Sequence, residues 1–266
     1  MFCVTQDLIE TYLWYISEYI MAEKRPFRLS SLTIMFPFLN DWGTVGSLVA
    51  VAIKTAEKYT DGWEVVIVND GSRRQDRQAL EMVIDTANSK RIRIVDHEKN
   101  WGYGGALRDG FNHAKKDFIF YTDCDAQYDP REMSVLIENM KEGVGMVNGY
   151  KIKRNDPVYR IIMGRFYHYV VKFLFHLPIR DTDCDFRLIR RSVFEKVTLF
   201  ENTGTICTEL VKKIDYKGFA IVEAPVHHFW RTSGKSQFFN FRRLYRTAIN
   251  LAKLWWKLII MRNFDT

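Results

Sequence analysis

Hydrophobic and polar positions alternate between two periods along this chain. Short β-branched runs occur at 32–36 (LTIMF), 64–68 (EVVIV), 91–95 (RIRIV), 117–122 (DFIFYT) and 144–149 (VGMVNG). They read as strands, some of them apolar throughout, as strands covered on both faces would be. Between them lie segments from TVGSLVAVAIKTAEKY to REMSVLIENMKE, the first three with apolar residues at i, i+3 and i+4. Those segments read as amphipathic helices. This alternation predicts an α/β fold with a mostly parallel, Rossmann-like sheet flanked by helices. A helical lead-in precedes it. Beyond residue 150 the pattern loosens into long amphipathic segments and a strand-like DFRLI.

Ligands of such sheets bind outside the carboxyl ends of the strands. Four polar segments fall there: PFLND, NDGS, DHEKNWGYGG and DCDAQYDP. One shared cleft is expected. The last segment raises an electrostatic question, because Asp123, Asp125 and Asp129 crowd the end of an apolar strand, where repulsion and desolvation both oppose ionisation. A hard divalent cation would offset this, with Asp123, Asp125 and the amide oxygen of Gln127 as ligands. Capping of turns and helices by Asp123 and Asp129 is the alternative. The turn NDGS, with Asn69 and Asp70, reads either as a ligand contact or as a β–α turn. Gly102, Gly104 and Gly105 lack dinucleotide-fingerprint spacing; they suit either a phosphate at a helix N-terminus or close backbone packing.

Composition narrows the partners. With 47% apolar and 27% charged residues the chain can build a sizeable core, and a net charge of +7 favours anionic ligands. The four cysteines have no zinc-type spacing and read as reduced thiols of a cytosolic protein. The first 26 residues do not read as a signal peptide, and no apolar run is long enough to span a bilayer.

In their order, LTIMFPFLND, EVVIVNDGS, NWGYGGALRDG, YTDCDAQYDP and RDTDCDFRLIRR resemble a family 2 glycosyltransferase of the GT-A fold, in the branch of dolichol-phosphate mannose synthase and other polyprenyl-phosphate glycosyltransferases. NGYKIKRNDPVYR and HHFWRTSGKSQFF also fit, so the resemblance covers roughly residues 30–240. It implies that Asp123, Asp125 and Gln127 hold Mg²⁺ or Mn²⁺ against the diphosphate of a sugar nucleotide, GDP- or UDP-linked. Pro37, Phe38, Asp41, Asn69, Asp70, Gly104 and Cys124 would line the nucleotide sugar. Asp41 is shorter than the family's usual Glu, and Leu39 stands where Tyr is common, leaving Phe38 to stack on the base.

On the acceptor side the resemblance implies that Lys151, Arg154, Arg165, Arg231, Lys235 and Ser236 approach the phosphate of a lipid-linked acceptor, with Arg187 near the sugar. Asp185 replaces the family's Gly and could alter sugar or acceptor choice, or simply turn outward. Glu209 stands where members acting on hydroxyl acceptors carry a catalytic acid; it would be the base for an alcohol, whereas an ionised phosphate needs none. The resemblance thus points to a metal-dependent inverting hexosyltransferase with Asp125, Arg187 and Glu209 as catalytic candidates. A saccharide hydroxyl is the alternative acceptor, and a nucleic-acid-binding module fits poorly.

The expected organisation is an N-terminal helical extension at 1–30, a catalytic domain at 31–236 divided near 150, and a C-terminal helix at 237–266. In that last helix basic residues stripe one side and aromatics the other, as for a helix lying in a membrane interface. A peripheral protein on the inner membrane face is expected, and a separate membrane-spanning partner is compatible with it.

Overall fold

The computed structural model describes residues 27–87, 89–154, 158–231 and 241–265; the expected N-terminal helix, Lys235 and Ser236 lie outside them. Seven strands form one sheet: β1 (Leu32–Phe38), β2 (Trp63–Asn69), β3 (Ile92–Asp96), β4 (Phe118–Thr122), β5 (Val144–Arg154), β6 (Phe186–Arg190) and β7 (Ala220–His228). Their order is β3-β2-β1-β4-β6-β5-β7. Only β6 runs antiparallel, against both β4 and β5. This is the mostly parallel, helix-flanked GT-A architecture that the sequence predicted.

Seven α-helices cover the sheet: α1 (Trp42–Ala56), α2 (Arg74–Thr86), α3 (Tyr103–His113), α4 (Met133–Asn139), α5 (Val158–Phe175), α6 (Ile206–Tyr216) and α7 (Phe241–Trp255). Alternate strand residues supply two cores, as the two-residue period of a strand requires. Ile34, Phe36, Phe38 and Ile67 join α1, α2 and α4 on one face. Met35, Val66, Ile119 and Tyr121 join α3, α6 and α7 on the other. This layering aims the carboxyl ends of β1, β2 and β4 at one edge.

The C-terminal helix packs against the second face. Leu251, Leu254 and Leu258 are buried there, the Trp255 indole donates to the Leu174 carbonyl at 3.0 Å, and Phe264 stacks on Tyr216. Arg246, Lys253, Tyr245, Ile249 and Trp256 stay exposed on the outside. The expected interfacial helix is therefore docked on the domain by a leucine seam, offset from the stripe read in the sequence. No helix among the described residues is long and apolar enough to cross a membrane.

Candidate active site

The first strand ends in a turn that begins α1. Asn40 adopts a left-handed conformation (φ 63°), and its backbone and side chain tie to Ser72 and Arg73 beyond β2. Asp41 stands at the helix N-cap without capping it. Burial raises its carboxyl above the usual range; Arg231 opposes that and Asp125 adds to it. Pro37 is half-buried and Leu39 exposed. Phe38 does not reach the cleft. Its even position in β1 turns the ring into the core with Ile34 and Phe36, so it cannot stack on a base.

Beyond β2, Asn69 donates to Asp96 at 2.7 Å and accepts from the Ser72 N–H at 3.2 Å. Asp70 is buried, with both oxygens engaged. Oδ1 accepts from the Trp101 N–H at 2.7 Å and faces His97 Nδ1 at 2.8 Å, while Oδ2 accepts from the Gly102 N–H at 3.0 Å. His97 also meets Asp109 at 3.1 Å and stacks on Trp101. The turn reading of NDGS accounts for Asp70, which braces the glycine segment instead of presenting an open acceptor. Gly104 donates to the Asn202 carbonyl, and a Cβ there would lie 2.5 Å from the Glu201 oxygen. Close packing on residues 201–203 thus explains that glycine.

The acidic turn follows β4, the central strand of the cluster. Tyr103, opening α3, donates to Asp123 at 2.9 Å. Burial pushes Asp123 well above the usual carboxylate range, and Asp185 and Asp125 push it the same way. Cys124 is buried in the core, and its carbonyl accepts from the Thr44 hydroxyl of α1. Left-handed Ala126 (φ 59°) tightens the turn. Asp125 accepts from the Gln127 N–H at 3.0 Å and from Arg231 at 2.6 Å. Gln127 itself is bound to Phe229, its carbonyl accepting at 2.8 Å and its amide donating at 3.2 Å. Asp129 caps the next turn, accepting from the Arg131 N–H at 2.9 Å, whereas Asp123 and Asp125 are bonded by Tyr103 and Arg231.

Three other candidates are committed to internal contacts. Arg187 is fully buried and forks to Asn148 (2.6 Å), Tyr121 (2.7 Å) and the Thr182 carbonyl (2.7 Å). It shapes the turn before β6 and exposes no donor to solvent. Lys151 is likewise committed, donating to the Asp183 carbonyl at 2.7 Å with Asp181 at 3.6 Å. Glu209 is fully buried. Its oxygens accept from the Phe200 and Glu201 N–H groups and pair with Lys213 at 3.1 Å, so it lacks the open carboxylate that a base for an acceptor hydroxyl requires. Arg154 ends β5 and Arg165 lies in α5; their side chains fall outside the described residues. Tyr103 and Thr44 escaped sequence reading, although Tyr103 directly follows Gly102 at the helix start.

Asp123 and Asp125 offer hard carboxylate oxygens at adjoining positions, and the mutual charge that disfavours their ionisation is what a divalent ion would neutralise. Among the described residues no group of three His, Cys, Asp or Glu side chains surrounds one point. The donor set leaves most positions of such an ion to water or to substrate phosphates.

Comparison with known proteins bears on the family and the fold. Glycosyltransferase AglD of Haloferax volcanii is 25% identical over 252 residues, covering 90% of this chain and 40% of that protein. The undecaprenyl-phosphate 4-deoxy-4-formamido-L-arabinose transferase of Salmonella choleraesuis is 23% identical, covering 84% of this chain and 67% of its own. The chain therefore spans well under half of the first relative and about two thirds of the second. In structure it resembles the glucosyl-3-phosphoglycerate synthase of Mycobacterium tuberculosis solved with Mn²⁺, UDP and glucosyl-3-phosphoglycerate, with a TM-score of 0.65, 15% identity and coverage of 85% of this chain and 80% of that one. The model of glycosyl transferase family 2 matches residues 33–198. That match spans more than half of the sequence and includes the strand ends that build the cleft, and the chain belongs to glycosyl transferase family 2.

Proposed function

We propose that this glycosyltransferase moves a hexose from a GDP- or UDP-linked sugar to a polyprenyl phosphate, with inversion and with a divalent ion, at the cytoplasmic face of a membrane. The observation that carries this reading is the Asp123–Asp125 turn at the carboxyl end of β4, with Asp41 beside it and Arg231 as counter-charge. Its relatives' names support the acceptor class, since one acts on undecaprenyl phosphate. Mg²⁺ or Mn²⁺, when bound, stabilises the negative charge that develops on the leaving nucleoside diphosphate.

This chain's own residues would do the rest. Asp123 and Asp125, with Gln127, hold the diphosphate end of the donor, and Asp41 and Asn69 line its nucleoside. Arg231, Lys235 and Ser236 serve the acceptor phosphate, one oxygen of which attacks the anomeric carbon as the sugar–diphosphate bond breaks. An ionised phosphate brings its own electron pair, so no base is needed. The engagement of Glu209 by backbone amides and Lys213 is in keeping with that. The exposed outer face of α7, with Arg246 and Lys253 among Tyr245 and Ile249, and Trp256 just beyond it, suits an anionic bilayer surface.

The test is a screen of GDP- and UDP-sugars against a short polyprenyl phosphate, with Mn²⁺ and with EDTA. Metal-dependent formation of a glycosyl lipid phosphate is expected. Turnover on a saccharide hydroxyl with none on any lipid phosphate would overturn the acceptor assignment.

A further inference from the structure

We propose that Arg231 occupies the divalent ion's place at Asp125 and must swing away before that ion can bind. This inference rests on the metal-dependent reading above and goes beyond it. Both oxygens of Asp125 are engaged: Oδ1 takes the Gln127 N–H at 3.0 Å, and Oδ2 takes the Arg231 guanidinium at 2.6 Å. Asp125 is withdrawn from water, its side chain being 6% exposed, while the Arg231 side chain keeps 31% of its surface in solvent. Charge-assisted bonds of this length are among the strong ones.

The Arg231 guanidinium bonds the very carboxylate oxygen that a divalent ion at Asp125 would use. A divalent ion at Asp125 would lie within a few ångströms of the guanidinium, where like charges repel strongly outside bulk water. Exchange is the consistent outcome.

The arginine is delivered by backbone rather than by chance. Phe229 and Gln127 exchange two hydrogen bonds, at 2.8 and 3.2 Å, which pins the end of β7 across the acidic turn two residues before Arg231. Once displaced, the guanidinium remains tethered beside the diphosphate, within reach of phosphate oxygens. Metal entry and release of a phosphate-binding arginine become a single event.

Binding of Mn²⁺ to the full chain without nucleotide, followed by the electron paramagnetic resonance of the free ion, tests this. Arg231→Met should bind Mn²⁺ about tenfold more tightly than the wild type, the scale of one lost hydrogen bond to a charged group, with Arg231→Lys between. Asp125→Asn should abolish binding in either background. Equal or weaker affinity in Arg231→Met overturns the inference. If that result comes with wild-type transfer that EDTA still abolishes, the proposed function stands and only the exchange falls; if Mn²⁺ neither binds nor supports transfer, both fall. In the wild type, Mg²⁺ titration should shift the Arg231 side-chain resonance in nitrogen NMR. An unmoved resonance at saturating Mg²⁺ overturns the exchange without any variant.

Discussion

Asp185 faces Asp123 across the ends of β4 and β6, one step beyond the last paired residues, Thr122 and Phe186. Among neighbouring charges Asp185 raises the Asp123 carboxyl most, and the Cys207 thiol donates to it at 3.1 Å. Under the proposed function, a half-buried acid at this point would add an acceptor to the wall of the sugar site. Asp185→Asn should keep its fold, because a thiol is a weak donor, yet change the ratio of kcat/KM between two sugar nucleotides by at least about fivefold. Parallel kinetics on both donors decides this; an unchanged ratio would remove Asp185 from the sugar's surroundings.

Glu209 and Lys213 make a second test. Burial raises the carboxyl and lowers the ammonium, so both charged forms are disfavoured in the fold and near neutral pH each desolvation costs stability. Removing one partner is still worse, since it strands the other. Glu209→Gln should lose about 3 kcal/mol in urea unfolding, and Glu209→Gln with Lys213→Met should recover most of it. A catalytic base would behave in the opposite way, with turnover lost and stability kept.

Gly104→Ala should disturb the site from a distance. The added Cβ would meet the Glu201 carbonyl at 2.5 Å, on a residue whose N–H is held by the buried Glu209. The start of α3 must shift, and with it Tyr103, whose hydroxyl serves Asp123. We expect a loss of about 1–3 kcal/mol and, at temperatures where the variant is folded, weaker Mn²⁺ binding. Tyr103→Phe should weaken Mn²⁺ binding with little loss of stability, measured by the same titration.

The Arg77–Asp96 pair gives a pH signature away from the acidic turn. Arg77 donates twice to Asp96, at 2.6 and 2.8 Å, and holds its carboxyl below the usual range; the Asn69 amide helps. A carboxyl with a depressed folded value stabilises fully above its unfolded range and loses that contribution as pH falls through it. Because the pair is half exposed, Asp96→Asn should cost at most about 1 kcal/mol at pH 7. The difference from wild type should shrink below about pH 4, as read from urea unfolding at a series of pH values.

Local pattern carried much of this architecture. The first five strands were legible because their apolar runs are bounded by turn residues, and observed boundaries differ from the expected ones chiefly at the ends. Strand β7 was not read, although its Pro225 suits a strand paired on one side only. Helix α6 hid in a stretch rich in Thr, Ile and Cys, which favour no helix on their own. The acidic turn was legible because charge crowding is local. The fates of Asp70, Arg187 and Lys151 were not, since each is decided by residues some 30 or more positions away that only the assembled sheet brings near.

For anyone designing a nucleotide analogue against this enzyme, the bracing of Asp70 redirects effort. Its two oxygens already answer to His97, Trp101 and Gly102, so a donor group aimed at it must break an internal clamp before gaining a contact. Under the proposed function, chemical diversity is better invested toward Asp41 and the exposed Leu39, the positions at which the resemblance is broken.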